Sequence, residues 1–291
     1  MAEQQARLIS PDGRSTLAVY GLQKRRFDDL YHWWLSATWT RVYTVVSALY
    51  LLLNAAFALG YLLTGGVEGA REGSFSDAFF FSVQTLATIG YGRMSPVTLP
   101  AHLLVTVEAF AGITGVALIT GLMFAKFARP TARVLWSRVA VIALQDGTPA
   151  LMFRVANARG NQVVEAQLRL GMLRTETTAE GEQVRRMHDL KLVRGSSAVF
   201  ALSWLAVHPL TPESKLYGET AESLRASNAQ IYCSLTGLDS TFSQTIHDRH
   251  SYSVDDLRWG ERFVDIMGVL PDGRLGLDYS RFHDTRPVKP S

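Results

Sequence analysis

Five consecutive residues, Thr88-Ile89-Gly90-Tyr91-Gly92, carry the most specific chemistry in this 291-residue chain. A monovalent cation that sheds its water needs replacement oxygens at close range. Backbone carbonyls supply them when successive peptide planes turn to the same side. That requires the backbone to alternate between left- and right-handed conformations, which Gly90 and Gly92 adopt without a Cβ penalty. Thr88 adds a hydroxyl at the inner mouth of such a strand. Ile89 and Tyr91 are expected to point away from the ion and pack behind the strand, fixing its diameter. One chain gives one strand of carbonyls and a closed ring of oxygen cages takes four, so a homotetramer is expected, with the ion path on its axis.

A Gly-aromatic-Gly turn alone is common, so the flanking elements decide its meaning. Val42 to Leu63 is a run of 22 residues without a formal charge, enough for about 33 Å of helix at 1.5 Å per residue. A second run, Leu99 to Phe127, is interrupted only by His102, Glu108 and Lys126. Both read as membrane spans. Between them, Phe75 to Ile89 is apolar and aromatic but too short to cross and return, as expected of a re-entrant segment. Ser74, Ser76 and Asp77 can cap a short helix running to Thr85. Its negative end would then face the membrane centre, where it stabilises a cation.

Basic residues gather before the first span and after the second (Lys126, Arg129, Arg133, Arg138), which places both termini in the cytoplasm by the positive-inside rule. The polar first 26 residues lack the apolar core and cleavage site of a signal peptide. Over the whole chain, 29 Lys and Arg against 26 Asp and Glu give only a mildly basic balance, with no sign of a nucleic-acid partner. The one cysteine, Cys233, excludes an intrachain disulfide and reads as a small buried hydrophobe.

After Pro130 the pattern changes to short alternating strands: V-A-V-I-A-L, L-M-F-R-V-A-N, then Val164, Ala166, Leu168, Leu170 and Met172 at every second position. Turns at Asp146-Gly147, Arg159-Gly160, Glu180-Gly181 and Pro271-Asp272-Gly273 separate them, so a β-sandwich is expected, with one helical insertion at Glu219 to Ser227. No glycine-rich nucleotide loop is present. The His188-Asp189 and His247-Asp248-His250 sets come with no nucleophile or third ligand in a recognisable motif, so neither an enzyme nor a cofactor is expected. K⁺ at the filter carbonyls is the one ligand inferred.

Taken together, D-D-L-Y-H-W-W-L, F-F-F-S-V-Q-T-L-A-T-I-G-Y-G, G-L-M-F-A-K-F-A-R-P, L-M-F-R-V-A-N, W-G-E-R-F and D-Y-S-R-F-H make the chain resemble the inward-rectifier potassium channels, in particular the prokaryotic branch often called KirBac. The likeness runs from about Lys24 to His283. It implies a cytoplasmic N-terminus with an interfacial slide helix over residues 1–38 and a transmembrane pore domain of two spans plus pore helix over 39–130. Residues 131–291 would form a cytoplasmic all-β immunoglobulin-like sandwich that extends the pore in a homotetramer. The residues agree on the slide helix: Phe27, Leu30, Tyr31, Trp34, Leu35 and Thr38 recur at three- and four-residue steps.

Further roles come from the same resemblance. Gly112, Val116, Thr120 and Phe124 lie on one face of the inner helix, with Val116 and Thr120 lining the pore and Phe124 at the cytoplasmic gate. Gly112 and Gly121 are candidate hinges. Strong rectifiers carry an acid where this chain has Val116, so weak polyamine block is expected. Many relatives pair a glutamate behind the filter with an arginine beyond it. Here Gln84 takes the glutamate's place opposite Arg93, so support must come from neutral hydrogen bonds and packing. Glu108 is expected either to face the pore or to make a structural hydrogen bond behind the filter, where it could be the neutral acid. The loop Thr241-Phe242-Ser243-Gln244-Thr245 matches a second constriction, with a plain β-hairpin as the other reading. Lys24, Arg25, Arg26, Lys126, Arg129 and Arg133 are candidate anionic-lipid ligands. A multi-pass potassium channel of a prokaryotic inner membrane is therefore expected. A membrane-anchored sensor or scaffold with little conduction, and a poorly selective cation pore, stay open as alternatives.

Overall fold

The computed structural model describes residue 10 and residues 30–129, 132–269 and 271–288. They form two compact units. The first begins with helix α1 (Leu30–Ser36) and the long helix α2 (Trp39–Thr64), followed by strand β1 (Val67–Glu68), helix α3 (Phe75–Leu86), strand β2 (Ser95–Pro96) and the long helix α4 (Leu99–Phe127). Both long helices are apolar enough to cross a membrane. Each of α2, α3 and α4 starts where a hydroxyl takes up an orphan amide: Thr38 accepts from Arg41 N, Ser74 from Asp77 N and Thr98 from Ala101 N. β1 and β2 pair antiparallel across the segment that carries α3 and residues 88–92, so both ends of that segment are tied together.

Thr38 does not continue the apolar face of α1 as its spacing suggested. It is the N-cap of α2, because a cap requires extended backbone and Thr38 has ψ 153°. Phe27, along with Lys24, Arg25 and Arg26, lies outside the described residues. Within α1, Trp34 and Leu35 are half-buried, whereas Leu30 and Tyr31 are exposed apolar side chains.

The second unit is a β-sandwich. Its strands are β3 (Val134–Trp136), β4 (Ala140–Gln145), β5 (Thr148–Asn157), β6 (Val163–Thr177), β7 (Gln183–Leu190), β8 (Ser196–Phe200) and β9 (Ser203–Pro209). After helix α5 (Ala221–Ala226) come β10 (Gln230–Asp239), β11 (Gln244–Ser253) and β12 (Leu257–Trp259). One sheet runs β11-β10-β6-β7 with β8 also on β6, and the other runs β12-β4-β5-β3 with β9 also on β5. Leu151, Phe153 and Val155 from one sheet meet Leu168, Leu170, Met172, Cys233 and Leu235 from the other in a single buried core. Cys233 is fully buried and free, and burial pushes its thiol up.

The alternation along β6 is out of phase at its start. Val163 is buried and Val164 is not, because Glu165 takes a positive φ of 51° and the pairing with β8 skips that residue. Such a bulge reverses which side chains face the core, and nothing in the apolar count reveals it. The Asp146-Gly147 turn has both residues at positive φ, the two-residue hairpin geometry that Asp-Gly favours. α5 is shorter than Glu219 to Ser227 and starts from a Thr220 capping box. The loop after β10 closes a hairpin in which Asp239 pairs with Gln244, with Phe242 exposed. Among the described residues no cluster of metal-ligating side chains occurs, and His188 instead pairs with Glu176 at 2.7 Å.

His208 is buried between the carbonyl of Lys191, 2.7 Å from Nδ1, and the hydroxyl of Ser214, 2.7 Å from Nε2. The carbonyl can only accept, so Nδ1 carries the hydrogen and Nε2 accepts from Ser214. Burial pushes the imidazole below the usual histidine range. The unfolded chain therefore takes up this proton first, and the stability from His208 is present above its unfolded range, about 6.5, and is lost as pH falls through it. Thermal unfolding of the full chain in detergent should show a smaller loss of Tm on acidification in His208→Gln than in the parent protein. An unchanged pH slope would refute the assignment.

Candidate functional site

The strand from Thr88 to Gly92 is set by the end of α3. After Leu86 the chain leaves the helix, and the helix's last carbonyls would have no partners without the residues that follow. The carbonyl of Thr85 accepts from Thr88 N at 3.0 Å, and that of Gln84 accepts from Ile89 N at 2.8 Å and Gly90 N at 3.4 Å. The amides at the start of the strand are thus turned back on the helix. Among the described residues, no carbonyl from Thr88 to Gly92 accepts a hydrogen bond. φ is +57° at Thr88, +57° at Gly90 and +77° at Gly92, with Ile89 and Tyr91 between them outside the left-handed region. This is the alternation that aligns carbonyls along one side of a strand. The sequence pointed to two of its three left-handed positions. Thr88 is the third, and its β-branched side chain makes that conformation unfavourable unless the surroundings impose it.

Glu108 stands behind this strand's helix, fully buried on α4. Tyr61 of α2 donates to its Oε2 at 2.5 Å, and Ser82 of α3 is hydrogen-bonded to its Oε1. Ser82 in turn donates to Asn54 Oδ1 of α2 at 3.0 Å, and Asn54 Nδ2 donates to the Tyr50 carbonyl at 2.7 Å. One carboxyl therefore joins all three helices. Asn54, Tyr61 and Ser82 did not stand out in the sequence. The available signal was that Asn54 and Tyr61 lie seven residues apart, on one face of an otherwise apolar span. Gln84 contributes its backbone carbonyl. At the start of α3, Arg71 donates to Asp77 from its backbone amide and from two guanidinium nitrogens, each at 2.9 Å, which holds the Asp77 carboxyl well below the usual range. α3 is thus fastened at both ends.

On α4, Gly112 is buried, whereas Val116, Thr120 and Phe124 are exposed in the single chain, Phe124 to 73%. A Cβ on Gly112 would lie 2.3 Å from the carbonyl oxygen of Leu86, the last residue of α3. Gly112 is therefore where α4 passes directly against the end of α3. A Cβ on Gly121 would meet open space. Lys126 is buried, and its ammonium reaches the carbonyls of Trp34 at 2.9 Å, Leu35 at 3.1 Å and Ala37 at 2.6 Å. The first two are orphan carbonyls at the negative dipole end of α1, and Ala37 follows directly after the helix. Its three hydrogens thus have three acceptors within the chain. Trp34 Nε1 donates to the Leu122 carbonyl at 3.1 Å in the same joint, and Arg129 also reaches the Leu35 carbonyl at 3.3 Å. Arg129 and Arg133 are exposed.

Two family models match the chain: the inward rectifier potassium channel C-terminal domain over residues 134–291, and ion channel over residues 38–129. Among curated relatives, the chain is 48% identical over 280 residues to inward rectifier potassium channel Kirbac3.1 of Paramagnetospirillum magnetotacticum, covering 96% of this chain and 95% of that protein. It is 32% identical to the ATP-sensitive inward rectifier potassium channel 11 of Oryctolagus cuniculus, over 98% of this chain and 80% of that one. It is 34% identical to the G protein-activated inward rectifier potassium channel 3 of Mus musculus, over 74% of this chain and 56% of that protein.

Substituting Gly112→Ala forces a methyl into the Leu86 carbonyl, an overpacking that costs about 1–3 kcal/mol. The expected outcome is a lower melting temperature and impaired ion flux, with Gly121→Ala close to the parent in both. Equal behaviour of the two variants would refute the contact role of Gly112.

Proposed function

The chain belongs to the inward rectifier potassium channel family, and from that premise we propose that Thr88 to Gly92 of four copies form the filter through which this membrane protein conducts potassium. The protein is a potassium-selective channel of the inward-rectifier type and not an enzyme. The observation that carries the filter assignment is the row of carbonyls left without partners beside three positive-φ residues. Potassium is the permeant ligand, and its site is the strand's own backbone.

Four-fold self-assembly is supported by what one chain leaves uncovered. Tyr91 is 76% exposed and Ile89 47%, yet both must pack behind the strand to hold its width. Their packing surface therefore comes from further copies. Val116, Thr120 and Phe124 are exposed along one side of α4, which supports a pore lining with the phenyl ring of Phe124 as a dewetting gate. The neutral Val116 supports weak block by internal polycations. Gly112 combines close packing with its candidate hinge role, and Gly121, with open space around it, is the freer hinge. Both termini are assigned to the cytoplasm of a prokaryotic cell from the distribution of basic residues and from the Kirbac3.1 relative.

Anionic lipid is the second ligand class. Arg129 and Arg133 are free of the burial that engages Lys126, so the lipid-facing role falls to them among the described residues. Each basic residue near the headgroups is worth about 1 kcal/mol towards anionic lipid.

In liposomes loaded with potassium, the protein should drive rubidium uptake and exclude sodium, with only shallow spermine block, and both Gly90→Asp and external barium should abolish the flux. Sodium uptake equal to rubidium, or flux persisting in Gly90→Asp, would sink the filter assignment.

Changing Arg129 and Arg133 together to Gln should weaken the response to anionic lipid by about 2 kcal/mol in apparent affinity. A lipid response identical to the parent's would remove these two residues from that role.

A further inference from the structure

The hydrogen bonds around Glu108 can be assigned by counting protons, starting from the end where the direction is fixed. The Tyr50 carbonyl can only accept, so the Asn54 atom 2.7 Å away from it is the amide nitrogen. Turning that amide over would set two acceptors against each other. Asn54 Oδ1 therefore faces Ser82 Oγ, 3.0 Å away, and must accept from it. A serine hydroxyl has one hydrogen. Once Ser82 donates to Asn54, its contact with Glu108 Oε1 is a hydrogen bond only if the carboxyl supplies the proton.

The surroundings agree with a neutral group. Asn54, Ser82 and Glu108 are fully buried and Tyr61 is 2% exposed, all on the helices α2, α3 and α4. No Lys, Arg or His among the described residues forms an ion pair with Glu108, and Tyr61 is the one other titratable group hydrogen-bonded to it. An ionised carboxylate placed there would be a buried, unpaired charge, and would also set Ser82 between two acceptors with one hydrogen.

We propose that Glu108 is a protonated carboxylic acid that donates to Ser82, and that it acts as a positioning residue for the filter. The chain of donors then runs one way: Tyr61 hydroxyl to Glu108, Glu108 to Ser82, Ser82 to Asn54, and Asn54 to the Tyr50 carbonyl. Each member is satisfied, and α3 is held between α2 and α4 four residues before Leu86, where the helix hands over to the filter. A fully satisfied polar chain in a low-dielectric interior fixes one geometry, whereas a partly satisfied one does not. The effect on conduction rests on the filter reading above, but the protonation state does not.

Infrared difference spectra of the full protein in liposomes, parent minus Glu108→Gln, test the proton directly. A carbonyl-stretch band of a protonated carboxyl should be present near neutral pH and absent from the variant. Asn54→Leu, which frees the Ser82 hydrogen to turn towards residue 108, should shift that band. Glu108→Gln keeps a donor and an acceptor in place and should retain potassium-over-sodium flux, while Glu108→Ala should lose it. Carboxylate bands in place of the carboxyl band would overturn the protonation state. Flux in Glu108→Gln reduced to that of Glu108→Ala would overturn the positioning role. If the parent protein itself passes sodium as readily as potassium, the filter reading fails while the infrared result stands on its own.

Discussion

Everything in the pore unit depends on where three amides point. The amides of Thr88, Ile89 and Gly90 satisfy the last carbonyls of α3, and a peptide plane whose N–H is turned one way has its C=O turned the other. A single arrangement thus solves two problems. The helix end finds its partners within the chain itself. The carbonyls from Thr88 to Gly92 are also left without partners, as the proposed filter requires. The left-handed backbone at Thr88, Gly90 and Gly92 is the geometric cost of that arrangement, and Glu108, Gly112 and the Arg71–Asp77 pair all act on the same short helix that imposes it.

How much of this could be read in the sequence varied with the kind of interaction. Gly90 and Gly92 were legible because a missing Cβ signals a backbone demand, and the two spans because hydropathy registers length. Thr88 was legible as a hydroxyl but not as a left-handed residue, since its conformation is imposed by the Thr85 carbonyl and not by its own preference. Glu108 was conspicuous as an acid within an apolar run. Its partners Asn54, Tyr61 and Ser82 were not, because they meet only when three helices pack, and no spacing along the chain encodes that meeting. Lys126 reads in the sequence as a headgroup contact. Its three acceptors lie at the end of α1 and just past it, so only the packed structure reveals them.

The β unit shows the same division. The strands, the tight turns and the buried cysteine follow from alternation and from Asp-Gly and related pairs. The bulge at Glu165 does not, because one residue of extra length changes the facing of Val163 and Val164 without changing composition. His208 likewise becomes a buried proton donor only because Lys191 and Ser214, distant and near in sequence, converge on its two nitrogens.

The joint between α1 and α4 also has a temporal side. α1 has no basic residue in its own last turn, and its C-terminal carbonyls are capped by a lysine 92 residues further along the chain from Trp34. A ribosome delivers α1 first and that lysine only after both spans and the filter segment have been made. Until then the carbonyls of Trp34, Leu35 and Ala37 lack the ammonium that gathers them. This contact can therefore form only once α4 has been made, and a chain truncated before Lys126 would leave α1 synthesised but without its cap.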